Sequence, residues 1–239
     1  IRLTTHQLTY NKNDHRPLKM VPFLDQLKSS SAKEIFKKLL EFLSIAYHKD
    51  NLKYIGFDES WCDEFILPIL QSSGLKFKCI HSIRDPRAII ASRNASDKLN
   101  QIGRKYPILL LIRHWRKVVS YSIINKDDPN YMAIRLEDIN ASPEKSMKKI
   151  CKHLDIEFRP EIMENEKFVD GDGKKWKTNS AFKNVSKGFS TSGHEKWKKV
   201  LTEKEKGFIE WICKPEMDYF SYAQSIRDYT LKDLTAFVE

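Results

Sequence analysis

The sequence predicts an α/β protein in which a three-layer arrangement places helices on either side of a parallel sheet. Three observations predict it. Short apolar runs with strand character alternate with longer amphipathic segments, the pattern of strand–helix–strand units. One such run leads straight into "IRDPRAIIASR", residues 83–93, a strand-to-helix corner carrying three arginines and a serine. Of the 239 residues, 41% are apolar, which is enough to fill a core.

Taken in order, Ser31-Ala-Lys-Glu34 is a capping box followed by Ile35, Phe36, Leu39, Leu40 and Leu43, so a helix is expected from there to about Tyr47. A short strand is expected at Tyr54–Phe57. A second helix starts at Glu59 or Ser60, carries Trp61, Phe65, Ile66, Leu67, Ile69 and Leu70, and stops at Gly74. An interior strand is expected over Leu75–Ile83. Asp85 before Pro86 is a helix start, because Asp caps free N–H groups and proline suits the first turn; that helix should reach about Lys98. A long helix follows over Ile108–Ile124, then a strand at Tyr131–Leu136, and a helix opened by Ser142-Pro143-Glu144 that runs to about Leu154. The stretch from Arg159 to Glu195, with four glycines among lysines, asparagines and serines, reads as a long irregular loop of the kind that carries function. A second capping box, Thr202-Glu-Lys-Glu205, opens a last helix that should pack Phe208, Ile209 and Trp211.

The expected organisation is a single domain over 1–239: a helical part at 1–52, a sheet core at 53–158, a loop region at 159–200, and a helix and tail at 201–239. Forty-two Lys and Arg against 32 Asp and Glu give a net charge of +10, which favours anionic partners without naming one. No RNA-recognition, zinc-finger or basic-zipper signature points to specific nucleic-acid binding. No run of 18 apolar residues and no charged-then-apolar leader occurs, so neither a membrane span nor a targeting segment is expected. The four cysteines lie far apart without metal-ligand spacing; no metal is expected, and the thiols read as buried apolar residues, with one or two lumenal disulfides as the alternative.

Ligands of open parallel sheets sit beyond the carboxyl ends of the strands, where helix N-termini offer unpaired N–H groups. Arg84 stands there, and Ser92 lies two turns into the next helix. Together they suit a phosphate held by a guanidinium and a hydroxyl. The competing reading pairs Arg84 with a carboxylate such as Asp138 and lets Ser92 bond its own helix, and the residues alone do not choose between the two.

"CIHSIRDPRAIIASR" resembles the 3'-phosphate motif of the sulfotransferases that use 3'-phosphoadenosine 5'-phosphosulfate (PAPS), with Arg84 and Ser92 at the spacing of that family's Arg and Ser. Downstream, "IRLEDI" (134–139), Pro143 with "KKICKHLDIEF", and "HEKWKKVLTEKEKGFIEWICKPEMDYFSY" resemble later family elements in order, so the likeness covers roughly residues 53–222. It is nearest to the carbohydrate and bacterial branches. The resemblance implies the P-loop-NTPase-like sulfotransferase fold and transfer of a sulfuryl group from PAPS to a hydroxyl or amine, with a carbohydrate as the expected acceptor. It implies cofactor contacts from Arg84 and Ser92, and from Ser180, Lys187 and Gly188 in a late covering loop. Either a cytoplasmic or a Golgi-lumenal setting would fit, for a bacterial or a eukaryotic source respectively.

Two departures stand against the family pattern. All eight glycines lie at or after Gly56, so residues 1–55 cannot supply the glycine-rich loop that cradles the 5'-phosphosulfate. The expectation is a chain shortened upstream and catalytically incomplete as it stands, with a naturally degenerate homologue as the alternative. At Gly56-Phe-Asp-Glu59, Asp58 occupies the place of the family's lysine; Asp58 or the neighbouring Glu59 is then the candidate general base, against a plain helix-start role for Glu59.

Among the other polar residues, His81 reads as packed, Trp115 and Trp197 as core or loop anchors, Arg87 and Arg93 as solvated, and Glu137 and Asp138 as partners of Arg84 or of local backbone. A nucleotide kinase relative would need a GxxxxGK[ST] loop, which is missing. A non-catalytic anion-binding module on the same fold is the other reading that the missing loop leaves open.

Overall fold

The computed structural model describes residues 31–46, 53–56, 63–94, 106–164, 189, 191 and 193–225. They fall into two compact units, one of the described residues up to Phe77 and the other of those from Lys78 onward.

In the first unit, helix α1 (Ala32–Ala46) begins where the capping box predicts: Glu34 N donates to Ser31 Oγ at 3.3 Å and Ser31 N to Glu34 Oε2 at 2.7 Å. Helix α2 (Asp63–Ser72) ends at Gly74, whose φ of 66° is the left-handed conformation that favours glycine. The expected strand at 54–57 does not form over its described part. Residues 54–56 are exposed, and an inner strand of a covered parallel sheet would be buried on both faces.

The second unit holds the sheet. Strands β1 (Cys79–Ile83) and β2 (Tyr131–Arg135) pair in parallel, with Cys79 opposite Tyr131 and Ile83 opposite Arg135. Only the last five residues of the expected Leu75–Ile83 strand are laddered. β2 begins at Tyr131, so residues before Cys79 have no β2 residue opposite them. The connection is helix α3 (Pro86–Asn94) and helix α4 (Ile108–Ile124), followed after β2 by α5 (Leu136–Ala141), α6 (Pro143–His153), a 3-10 turn (Pro160–Met163), α7 (Trp197–Val200) and α8 (Glu203–Tyr219).

The core of this unit forms where α3, α4 and α8 pack together: Ile90, Ile112, Trp115, Val119, Ile209, Cys213 and Met217 are all nearly inaccessible. Trp211, expected to join Phe208 and Ile209, is instead 44% exposed. The inward stripe of α8 runs through 209, 213 and 216–217, and helical geometry turns position 211 away from it. Among the described residues no helix is long and apolar enough to cross a membrane.

Candidate functional site

Because β1 and β2 are in register, they end together at Ile83 and Arg135. The chain leaves β1 through Arg84 and Asp85 into α3, and its backbone at that corner is held from several sides. Trp115 Nε1 donates to the Arg84 carbonyl at 2.9 Å, and the Asp85 N–H donates to Glu137 Oε1 at 3.0 Å. Asp85 caps α3 as expected, its Oδ1 accepting from Arg87 N at 2.8 Å.

Arg84 is half-buried. Among the described residues the one hydrogen bond of its side chain is a long 3.4 Å contact from Nη2 to the Gly193 carbonyl, and its buried Nε has no partner. A buried donor without an acceptor is costly and uncommon, so this guanidinium suits an anion supplied from outside. The alternative pairing with Asp138 is not what the structure shows. Arg135 takes Asp138 through Nε at 2.9 Å and Nη2 at 2.6 Å, and this pairing holds the Asp138 carboxyl below its ordinary range.

Glu137 does not pair with Arg84 either. Besides the Asp85 N–H it accepts from the Tyr222 hydroxyl at 3.1 Å, while burial and then the charge of Glu137 push that phenol above its usual value. Ser92 is half-buried on α3, four residues after Ala88 and seven after Asp85, the spacing that stacks it on the helix face leading back to the corner. Among the described residues its hydroxyl has no bond to its own helix.

Arg87 overturns its expectation. It is 4% exposed, not solvated. Its Nη2 reaches Asp85 Oδ2 at 2.6 Å, its Nη1 reaches Glu210 Oε1 at 2.6 Å, and its guanidinium lies 3.9 Å from the Trp197 ring centre. Burial works to lower this guanidinium, but the bonds and charges of Asp85 and Glu210 outweigh it and hold the pKa above the ordinary value. Arg93 is exposed, as expected. Trp115 and Trp197 are core anchors, 3% and 9% exposed.

His81 packs at mid-strand, its Nδ1 lying 2.5 Å from Ser122 Oγ and 2.7 Å from Tyr131 Oη. Sequence reasoning missed Glu210, whose Oε2 also accepts from the N–H and hydroxyl of Ser225. A signal existed, since Glu210 sits at helical spacing from Cys213 and Met217 on the buried face of α8. The Gly193 carbonyl left no comparable trace. Asp58, Glu59, Ser180, Lys187 and Gly188 lie outside the described residues, as does most of the Arg159–Glu195 loop.

Comparisons with known proteins bear on the family and the fold. The family model of the sulfotransferase domain matches residues 3–221. A carbohydrate sulfotransferase 3 of Tetronarce californica is 23% identical over 186 residues, 66% of this chain; the chain spans 39% of that relative's length. Among solved structures, the sulfotransferase domain from the curacin biosynthetic pathway superposes with a TM-score of 0.62 at 16% identity, covering 91% of this chain and 82% of its own. The sulfotransferase domain from the Synechococcus PCC 7002 olefin synthase superposes at 0.59 with 17% identity, covering 93% and 80%. At such identities these structures speak for the fold, which is the α/β sulfotransferase fold. With a match running over most of its length, this chain belongs to the sulfotransferase-domain family.

Proposed function

We propose that this protein transfers a sulfuryl group from PAPS to a hydroxyl or amine of a carbohydrate acceptor. One observation carries the cofactor half of the reading: Arg84, at the carboxyl end of β1, holds a buried Nε without a partner while the neighbouring carboxylates Asp85, Glu137 and Asp138 are engaged elsewhere. In this reading Arg84 and Ser92 bind the 3'-phosphate, and Ser180, Lys187 and Gly188 cover the cofactor. The acceptor half rests on the name of the carbohydrate sulfotransferase relative and on the net charge of +10, which draws acidic glycans.

Chemically, the acceptor oxygen or nitrogen forms a bond to sulfur as the bond from sulfur to the phosphate oxygen breaks. The rate comes from in-line positioning and from cations that stabilise charge on the leaving phosphate. Asp58 or Glu59 takes the acceptor proton.

Calorimetric titration with 3',5'-adenosine bisphosphate, the desulfated product, tests the reading, with 5'-AMP as control. Binding that is selective over AMP and lost in Arg84→Ala supports it. Equal, weak binding of both nucleotides, falling steeply with salt, would replace it with a non-catalytic polyanion-binding module.

A further inference from the structure

Three carboxylates that bond the Arg84–Arg87 segment, Glu137, Asp85 and Glu210, differ in how they are satisfied. Glu137 accepts two neutral donors, the Asp85 N–H and the Tyr222 hydroxyl. Asp85 and Glu210 share one cation, Arg87, with Glu210 also accepting from the N–H and hydroxyl of Ser225, and the Asp85, Glu210 and Arg87 side chains are all buried, with relative exposures of 9%, 6% and 5% respectively. The guanidinium is held in its slot by the indole of Trp197. Trp197 follows the turn that carries Gly193, the residue whose carbonyl Arg84 touches.

Two buried negative charges beside an anion site should oppose anion binding, because charge in a low-dielectric setting is poorly screened. Without Arg87 they would be unopposed. We propose that Arg87 is a positioning residue of the cofactor site that acts through Asp85 and Glu210, serving as the internal counter-ion that keeps these carboxylates from repelling the 3'-phosphate or capturing Arg84. The inference rests on the cofactor reading above and extends it to a residue whose guanidinium is spent on internal partners. The two arginines of the Arg-Asp-Pro-Arg run then have separate roles, Arg84 meeting the ligand and Arg87 neutralising the wall behind it.

The test is titration of the whole chain with 3',5'-adenosine bisphosphate and with 5'-AMP, on the wild type, Arg87→Met, Glu210→Gln and the triple variant Asp85→Asn/Arg87→Met/Glu210→Gln, each checked for cooperative thermal unfolding. The wild type should prefer the bisphosphate. Arg87→Met should lose about tenfold or more in affinity, Glu210→Gln should bind about threefold tighter, and the triple variant should return to within about threefold of wild type. A purely structural role predicts a different pattern: Glu210→Gln binds more weakly and the triple variant stays as weak as Arg87→Met. That pattern would overturn the inference while leaving the cofactor reading intact. A wild type blind to the 3'-phosphate would overturn both. Should Arg87→Met fail to fold, the sign of the Glu210→Gln effect still decides the matter: Gln keeps the acceptor for Arg87 and removes the charge, while its amide in place of Oε2 gives up the bond from the Ser225 N–H, a loss that by itself predicts weaker binding.

Discussion

Arg84 and Arg87 stand three positions apart with opposite fates, one left open and the other enclosed. The open one was legible in the sequence, because a strand end followed by Asp-Pro fixes where Arg84 must stand. The enclosed one was not, since the partner that buries it, Glu210, lies 123 positions further along the chain. Ser92 was singled out by its spacing from Arg84, and in the structure its hydroxyl is not spent on its own helix. From this follows an expected outcome for Ser92→Ala. A hydroxyl that donates to a charged phosphate contributes roughly 1.5–3 kcal/mol, so affinity for 3',5'-adenosine bisphosphate should fall about tenfold or more, while affinity for 5'-AMP and the melting temperature hold. An equal loss for both nucleotides would place Ser92 away from the 3'-phosphate.

Helix boundaries were the most legible elements, because their signals are local. Two capping boxes and one Asp-Pro start were written in adjacent residues, and all three appear at the expected positions. Strand limits and side-chain facing were less so. How far β1 is laddered depends on where β2 begins, some fifty residues on, and whether Trp211 is buried depends on which stripe of α8 its neighbours cover. α8 also has a special load. It contributes Phe208, Ile209, Cys213 and Met217 to the core and Glu210 to the Arg87 network, so its N-terminal cap supports both. In that cap Thr202 Oγ1 accepts from Glu205 N at 3.2 Å, and Thr202 N donates to Glu205 Oε2 at 2.8 Å. Thr202→Ala should cost about 1 kcal/mol and lower the melting temperature by about 2–4 °C, whereas Thr202→Ser should retain most of the stability. Scanning calorimetry checks it, and equal melting of Thr202→Ala and wild type would show that tertiary packing alone holds the first turn.

Across the whole chain the net charge of +10 sets how stability responds to pH. On the acid side, burial and the nearby Lys78 hold His153 below its ordinary value, and the Arg135 bond does the same for Asp138. Each binds fewer protons folded than unfolded between its two pKa values, so stability is lost as pH falls through that window, first for the histidine and then for the carboxylate. Protonating carboxylates also raises an already positive charge, and self-repulsion adds to the loss. The alkaline side has a separate origin. Burial, followed by the charge of Glu216, pushes the Cys213 thiol up to about 12, so the folded chain keeps this proton where an unfolded thiol has released it. The stability this contributes is fully present below the ordinary thiol pKa of about 8.5 and drains away as pH rises toward the folded value. Melting temperatures taken from about pH 7 to about pH 10.5 should therefore fall more steeply for the wild type than for Cys213→Ala, whatever offset the lost sulfur imposes on the variant. The comparison rests on slopes because the cavity left by alanine costs the same at every pH, whereas the proton linkage vanishes with the thiol. Parallel curves would remove Cys213 from the alkaline limb and leave it to Tyr222, whose phenol is raised by burial and by Glu137, and Tyr222→Phe would then be the variant that flattens it.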